Sequence, residues 1–225
     1  MTDQAREPLE HSAQSSAIAQ LKHQTRGCQQ TLAKSRMYHH LLSDTLTERS
    51  YFQALEVWVQ CWRTLEMLEQ LYRPENSSIR NTPTERYSSA RADLLALNTH
   101  FNYTATVPGR EDTLGAPFPF WSKNKVDWYG LVYAMRSLTA TFAAIEQHLS
   151  KHFSDSITGA YQSFFHTQQL TKTQSRAEVN LWNEWLSGSI TTDAEINASI
   201  TTATEILFWL NSCLQGFDIT AEPVC

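Results

Sequence analysis

Two pairs of histidines are the side chains in this sequence best suited to bind a metal ion. His148 and His152 are four residues apart, so on a helix they share one face and can chelate an ion from adjacent turns. Neither has a carboxylate at metal-ligand spacing, so we assign both a surface or capping role and predict no metal site. His39 and His40 are adjacent and would point apart on a regular element, so we expect them in a loop after the first helix.

The sequence holds no complete catalytic motif. The Glu-x-x-His motif of helical dimetal proteins does not occur, and neither do the glycine-rich phosphate-binding motifs or the G-x-S-x-G of serine hydrolases. Cys28 would need a basic partner to act as a nucleophile, and the sequence indicates none, so a buried and inert thiol is the simpler interpretation. The motifs alone predict a helical protein and no particular reaction.

Helices are the elements that must position these residues. The chain has 225 residues, of which 41% are hydrophobic, and seven glycines and seven prolines are few interruptions, which favours one all-α domain of six to eight helices. We expect this domain to span residues 17–217, between a disordered tail of residues 1–16 and a short tail of residues 218–225. We predict helices over residues 17–33, from Thr47 to before Pro74, from Pro83, over 126–152, over 173–187 and over 192–215, with a long loop over 102–124.

Charge and cysteine content exclude several classes of partner. A formal net charge of −5 argues against a nucleic-acid partner. The four cysteines form no C-x-x-C pair, which favours the reducing cytoplasm as the location of the protein. No run approaches the length of about eighteen apolar residues that a membrane span needs, so we expect no membrane partner.

The helix predicted over residues 126–152 carries two side-chain patterns. Apolar residues recur at spacings of four and three, which predicts a buried stripe of Leu131, Met135, Leu138, Phe142, Ile145 and Leu149. Beside it lie five small residues, namely Gly130, Ala134, Ser137, Thr141 and Ala144. Small side chains allow another element or a flat ligand to approach the helix backbone closely.

Residues 21–32, LKHQTRGCQQTL, resemble the first helix of the haem oxygenase family, which has the form L-[KR]-x-x-T-x-x-x-H-x-x-L. The matching residues are Leu21, Lys22, Thr25 and Leu32. In the family the histidine binds haem iron, and the basic residue reaches a haem propionate. Here Gln29 replaces the histidine, whereas Lys22 retains the basic side chain.

Residues 130–149, GLVYAMRSLTATFAAIEQHL, resemble the distal helix of the same family, G-A-L-Y-V-L-E-G-S-x-L-G-G-x-x-I-x-x-H-L. The matching residues are Gly130, Tyr133, Ile145, His148 and Leu149. The three glycines that let the family's helix bend over haem are Ser137, Thr141 and Phe142 in this chain. Each replacement adds bulk to the wall of the haem site, and Phe142 is interpreted as filling space that haem occupies in relatives.

The resemblance implies an all-α, haem-oxygenase-like fold with haem between the first and the distal helix. The candidate cofactor-binding residues are Lys22, Cys28, Gln29, Tyr133, Ser137, Thr141 and Phe142. We interpret the chain as lacking the proximal histidine, as not being a conventional haem-degrading enzyme, and as binding a tetrapyrrole, another apolar ligand or a protein partner. One alternative is an active haem oxygenase that forms biliverdin, iron and carbon monoxide with a substitute iron ligand, such as Cys28 or Gln29. A dimetal oxidase on the same scaffold is a third interpretation, and the missing metal-binding motif argues against it.

Overall fold

The computed structural model describes residues 16–74, 86–101, 124–153, 164–165, 180–181, 184–186 and 188–217. Six helices have described bounds: α1 (Ala17–Ala33), α2 (Arg36–Leu41), α3 (Glu48–Tyr72), α4 (Arg86–Phe101), α5 (Lys125–His152) and α6 (Asp193–Gln215). These ranges contain no strand, which confirms the all-α prediction. None of the described helices combines the length and the apolarity needed to cross a membrane.

The helix bounds agree closely with the sequence predictions where both can be compared. The predicted bounds of α1, the start of α3 after Thr47 and its end before Pro74 are confirmed, and α5 and α6 each begin within one residue of the prediction. The described residues at 180–181 and 184–186 are helical, as predicted for that segment. The helix start at Pro83, the loop over 102–123, residues 1–15 and residues 218–225 lie outside the described residues.

Two capping boxes define the starts of α3 and α6. The hydroxyls of Thr47 and Thr192 each accept a hydrogen bond from the amide of the third helical residue, which is Ser50 in α3 and Glu195 in α6. The side chains of those third residues accept from the amide of the capping threonine in return. Each box satisfies two backbone N–H groups that the first turn of a helix would leave without partners.

α6 contacts α1, α2, α3 and α5, and its contacts with α1 and α5 are the most extensive. Both α1 and α5 lie along it, while α3 packs against α4 and α5. α5 approaches α6 closely at Gly130, where an added β-carbon would lie 2.5 Å from the carbonyl oxygen of Ser199 and 2.8 Å from Cβ of Thr202. The hydroxyl of Thr202 also donates to Oδ1 of Asp127 at 3.0 Å. A glycine is therefore required at this point by the neighbouring backbone.

An aromatic cluster fills the interior between α3 and α5. The ring of Phe142 lies 5.6 Å from Trp58 and 6.3 Å from Trp62, both in edge-to-face orientation. Phe164 and Phe165 complete the cluster at 5.2 and 5.1 Å from the same ring. The whole predicted stripe of α5 is buried, which confirms that prediction.

The histidine pair after α1 is helical, which corrects the loop expected from the sequence. His39 and His40 lie in the last turn of α2, whose start is capped by the hydroxyl of Ser35. They point apart, as predicted, because His39 is exposed whereas His40 is half-buried with its ring 5.9 Å from Phe217. A helix of six residues is too short for an apolar period to show, so the sequence pattern did not reveal it.

Candidate functional site

Three polar side chains connect α1 directly to α5. Nε2 of Gln29 lies 3.2 Å from Oγ1 of Thr25 and 3.4 Å from the hydroxyl oxygen of Tyr133. That hydroxyl is 3.3 Å from Oγ1 of Thr25, so the three groups form a triangle. Thr25 is fully buried, and the other two side chains are half-buried. We call the triangle of Thr25, Gln29 and Tyr133 the α1–α5 bridge.

The direction of each hydrogen bond in the α1–α5 bridge follows from Thr25. Its hydroxyl donates its single hydrogen to the carbonyl of Leu21 at 2.7 Å, so its oxygen accepts from both other members. The hydroxyl of Tyr133 therefore donates to Thr25, and its oxygen accepts from Gln29. The amide nitrogen of Gln29 thus donates to both neighbours.

Ser137 and Thr141 of α5 stand where the resemblance places the first two distal-helix glycines of the haem oxygenase family. Both side chains form hydrogen bonds within the fold. The hydroxyl of Ser137 donates to the carbonyl of Ala134 at 2.8 Å, and that of Thr141 donates to the carbonyl of Leu138 at 2.7 Å. Because this hydrogen of Thr141 is occupied, the phenol of Tyr38 is the donor in their 2.8 Å contact. Burial raises the pKa of Tyr38, which keeps its phenol protonated and able to donate. Thr141 therefore links α5 to α2 through its hydrogen bond with Tyr38.

Lys22 and Cys28 lie on α1 outside the bridge. The side chain of Lys22 is exposed, and that of Cys28 is half-buried beside the core. Burial raises the pKa of the Cys28 thiol, which favours the neutral form. A neutral thiol is a much poorer metal ligand and nucleophile than a thiolate.

Phe142 lies on the opposite side of α5 from the bridge. It follows Tyr133 by nine residues, and at about 100° per residue this is half a turn beyond two full turns. Its described contacts accordingly are with the aromatic cluster of α3 and residues 164–165, and the guanidinium of Arg86 lies 5.4 Å from its ring centre. The structure therefore brings Gln29 and Tyr133 together and does not bring Phe142 to them.

A buried carboxylate that the sequence analysis did not single out joins α3 to α5. The carboxylate of Glu69 is fully buried and accepts two hydrogen bonds of 2.9 Å from the guanidinium of Arg73. It also accepts one of 3.2 Å from the indole of Trp128. The sequence feature that could have revealed the burial of Glu69 is its position directly after Leu68, inside the apolar stripe of α3.

Two further buried carboxylates fix α4 and the 164–165 segment. Glu66 accepts from the amide of Tyr87 at 2.8 Å, near the start of α4, where backbone amides lack partners within the helix. Asp93 accepts from the amide of Phe164, also at 2.8 Å. These carboxylates are thus bound to N–H donors, which gives them structural roles and offers no support to the dimetal interpretation.

A separate group of ligand-type side chains lies farther along α5. Among the residues that the structure describes, one set of three histidine, cysteine, aspartate or glutamate side chains is close enough to hold a metal ion, namely Asp44, His148 and His152. The carboxylate comes from the α2–α3 loop, about a hundred residues before the histidines, so sequence spacing could not show it. His148 follows Tyr133 by fifteen residues, or about 22 Å of helix, which separates this group from the α1–α5 bridge.

Comparison with known proteins supports the fold. No protein-family model and no curated protein sequence matches the chain. Among solved structures, the chain is similar to haem oxygenase from Leptospira interrogans, with a TM-score of 0.58 and 12% sequence identity. The likeness covers 90% of this chain and 100% of that chain, and at this identity it is a likeness of fold. The chain therefore has the all-α, haem-oxygenase-like fold that the sequence predicted.

Proposed function

We propose that this chain is a binding protein built on the haem-oxygenase-like fold and that it does not degrade haem. The observation that carries the proposal is the α1–α5 bridge. The resemblance assigns haem to the space between the first and the distal helix, which are α1 and α5 in this chain. The hydroxyl of Tyr133 joins these two helices by direct hydrogen bonds of 3.3 Å with Thr25 and 3.4 Å with Gln29.

The residues present do not fit haem at this position. A flat macrocycle needs about 7 Å between two walls, because each of its faces takes a carbon contact of about 3.5 Å. The hydroxyl oxygen of Tyr133 lies at about half that separation from the side-chain atoms of α1, at 3.3 Å from Thr25 and 3.4 Å from Gln29. Admitting haem would break the contacts of Tyr133 with α1, and polar groups that lose partners in a buried place cost free energy.

Neither side chain at the proximal position suits iron. An amide such as that of Gln29 is a weak iron ligand compared with imidazole, and hydrogen bonds of its nitrogen hold it in the bridge. The thiol of Cys28 is favoured in its neutral form by burial. Both facts favour a binding protein over an active haem oxygenase with a substitute ligand. Exposed Lys22 stays a candidate contact for an acidic group of a bound ligand.

A haemin titration of the purified chain, followed by Soret absorbance, tests the proposal. We expect no saturable one-to-one complex with a sharp, shifted band. A parallel titration with iron-free protoporphyrin separates ring shape from iron ligation, since binding of that ring alone indicates a tetrapyrrole-binding role. Binding of neither ring directs the search to other apolar ligands and protein partners. A saturated haem complex that yields biliverdin on reduction would contradict the proposal.

A double variant tests whether the bridge is what excludes haem. Gln29→His with Tyr133→Phe supplies an imidazole and removes the hydroxyl that ties α5 to α1, so we expect a Soret band that the parent chain lacks. The matched control is Gln30→His with Tyr133→Phe, which places the imidazole on the exposed side of α1. If the double variant shows no haem spectrum, features other than the bridge exclude haem.

A further inference from the structure

The α2–α3 loop and the C-terminal end of α5 bring three ligand-type side chains together. One carboxylate oxygen of Asp44 and one ring nitrogen from each of His148 and His152 lie within 4.8 Å of one another. The two imidazoles come from adjacent turns of α5 and are nearly parallel, with an angle of 15° and centroids 5.4 Å apart. Asp44 is exposed and the histidines are half-buried, so the cluster opens to solvent.

A tight turn holds Asp44 beside the histidines. The amide of Leu46 donates to the carbonyl of Ser43 at 3.1 Å, which closes a four-residue turn with Asp44 at its second position. The hydroxyl of Ser43 accepts from the amide of Thr45 at 3.1 Å, which adds a second constraint. The carboxylate is thus presented by a short, hydrogen-bonded segment.

The same turn orients both imidazoles. Nε2 of His148 lies 3.2 Å from the carbonyl oxygen of Ser43, and Nε2 of His152 lies 2.6 Å from that of Leu46. A carbonyl only accepts hydrogen bonds, so each Nε2 carries a hydrogen in the metal-free protein, and the lone pair of each neutral ring is on Nδ1. Donation of one ring N–H to a backbone carbonyl is a common way in which proteins orient a metal-binding histidine.

We propose that Asp44, His148 and His152 bind a divalent transition-metal ion of the zinc class. Two imidazoles with one carboxylate suit Zn²⁺, Co²⁺ and Ni²⁺, whereas Mg²⁺ and Ca²⁺ prefer all-oxygen sites. Ligands at about 2.0–2.1 Å from a tetrahedral ion are about 3.4 Å apart. The distances between the three ligand atoms therefore shorten by about 1.4 Å at most when the ion binds. A water molecule takes the fourth position.

The bound ion ties the turn between α2 and α3 to the last turns of α5. A ligand that binds the folded chain and not the unfolded chain stabilises the fold in proportion to the logarithm of its concentration over its dissociation constant. Metal binding at this site therefore raises the midpoint of thermal unfolding. The proposal concerns side chains outside the α1–α5 bridge and is independent of whether the chain binds haem.

Titration of the untagged, metal-stripped full chain with Co²⁺ and Zn²⁺ tests the proposal. We expect one equivalent of Co²⁺ to bind at micromolar concentrations, with the visible absorption bands of a four- or five-coordinate ion. Added Zn²⁺ is expected to displace these bands and to raise the midpoint of thermal unfolding. An absence of stoichiometric binding of either ion would overturn the proposal.

Substitutions identify the ligands. We expect His148→Gln and His152→Gln each to weaken Zn²⁺ binding by more than about tenfold, because even changes around a metal ligand cost ten- to hundredfold. Asp44→Asn is expected to weaken it as well, and it changes an exposed side chain, so it preserves the fold. The control His39→Gln removes an exposed imidazole from α2 and leaves affinity unchanged. Equal affinities for the parent chain and all three site variants would place the ion elsewhere and refute the assignment.

Discussion

Gln29 and Phe142 occupy positions that the resemblance assigns to the haem site, yet they have different surroundings. The amide of Gln29 is half-buried at the boundary of α1 and α5, where it donates to Thr25 and Tyr133. The ring of Phe142 is fully buried among aromatic side chains on the other side of α5. The polar residue therefore governs the approach of the two helices, whereas the aromatic residue governs stability.

Truncation of Phe142 measures its contribution to the core. We expect Phe142→Ala to lower the free energy of unfolding by about 3–5 kcal/mol, because a buried ring is lost and a cavity remains. Phe208→Ala is the matched control, since that ring is 57% exposed on α6, and its effect is expected within about 0.5 kcal/mol. Urea unfolding gives both values. An equally small loss of unfolding free energy in both variants would contradict the placement of Phe142 in the interior.

At the scale of the elements, the packing of α5 on α6 depends on the absence of one side chain. We expect Gly130→Ala to destabilise the fold by about 1–3 kcal/mol, because its β-carbon would overlap the backbone of α6 at Ser199. Gly27 is the matched control, since nothing lies within 4 Å of a β-carbon added there, in the middle of α1. Gly27→Ala is expected to stabilise by about 0.5–1 kcal/mol. Thermal unfolding of the two variants in opposite directions confirms the contact.

The capping box of α6 makes its stability depend on pH. Hydrogen bonds from the amides of Thr191 and Thr192 lower the pKa of Glu195, so folding favours its ionised form. This stabilisation is present above the unfolded pKa of about 4.3 and is lost as the pH falls through the lower folded pKa. We expect the difference in unfolding midpoint between the parent chain and Glu195→Gln to shrink between about pH 6 and pH 3. A difference that stays constant over this range would show that the charge of Glu195 does not stabilise the cap.

At the scale of the whole molecule, Cys61 of α3 and Cys213 of α6 are in contact, and their reactivity tests how these two helices pack. A hydrogen bond with Cys213, together with burial, raises the pKa of Cys61 well above its usual range. The same contact lowers the pKa of Cys213. We expect iodoacetamide at about pH 8 to modify Cys213 well before Cys61, since the thiolate is the reactive form. Peptide mass spectrometry over time measures this order. In a urea-unfolded control we expect the two cysteines to react at equal rates, and equal rates in the folded chain would contradict the prediction.

Local patterns predicted the long helices of this fold, but neither the short α2 nor the contacts between helices. The stripe from Leu131 to Leu149 repeats over several turns, so its burial was evident from spacing alone. The partners of Gln29 on α5 and of His148 in the α2–α3 loop are about a hundred residues away in sequence. These long-range contacts depend on how all the helices pack together, and apolar periodicity carries no information about them. Both candidate sites of the chain consist of contacts of this kind.

The packing of α1 along α6 has a consequence for synthesis of the chain. α1 ends at Ala33 and α6 begins at Asp193. About 160 residues separate them, so at an elongation rate of about 5–20 residues per second roughly 8–32 s pass between their translation. Local contacts let α3 and α4 pair early, whereas the contacts of α1 with α6 can form only after α6 is made. The nascent chain therefore completes α1 well before α6, the helix with which α1 makes most of its contacts, and the face of α1 that packs on α6 is left without that cover over this interval.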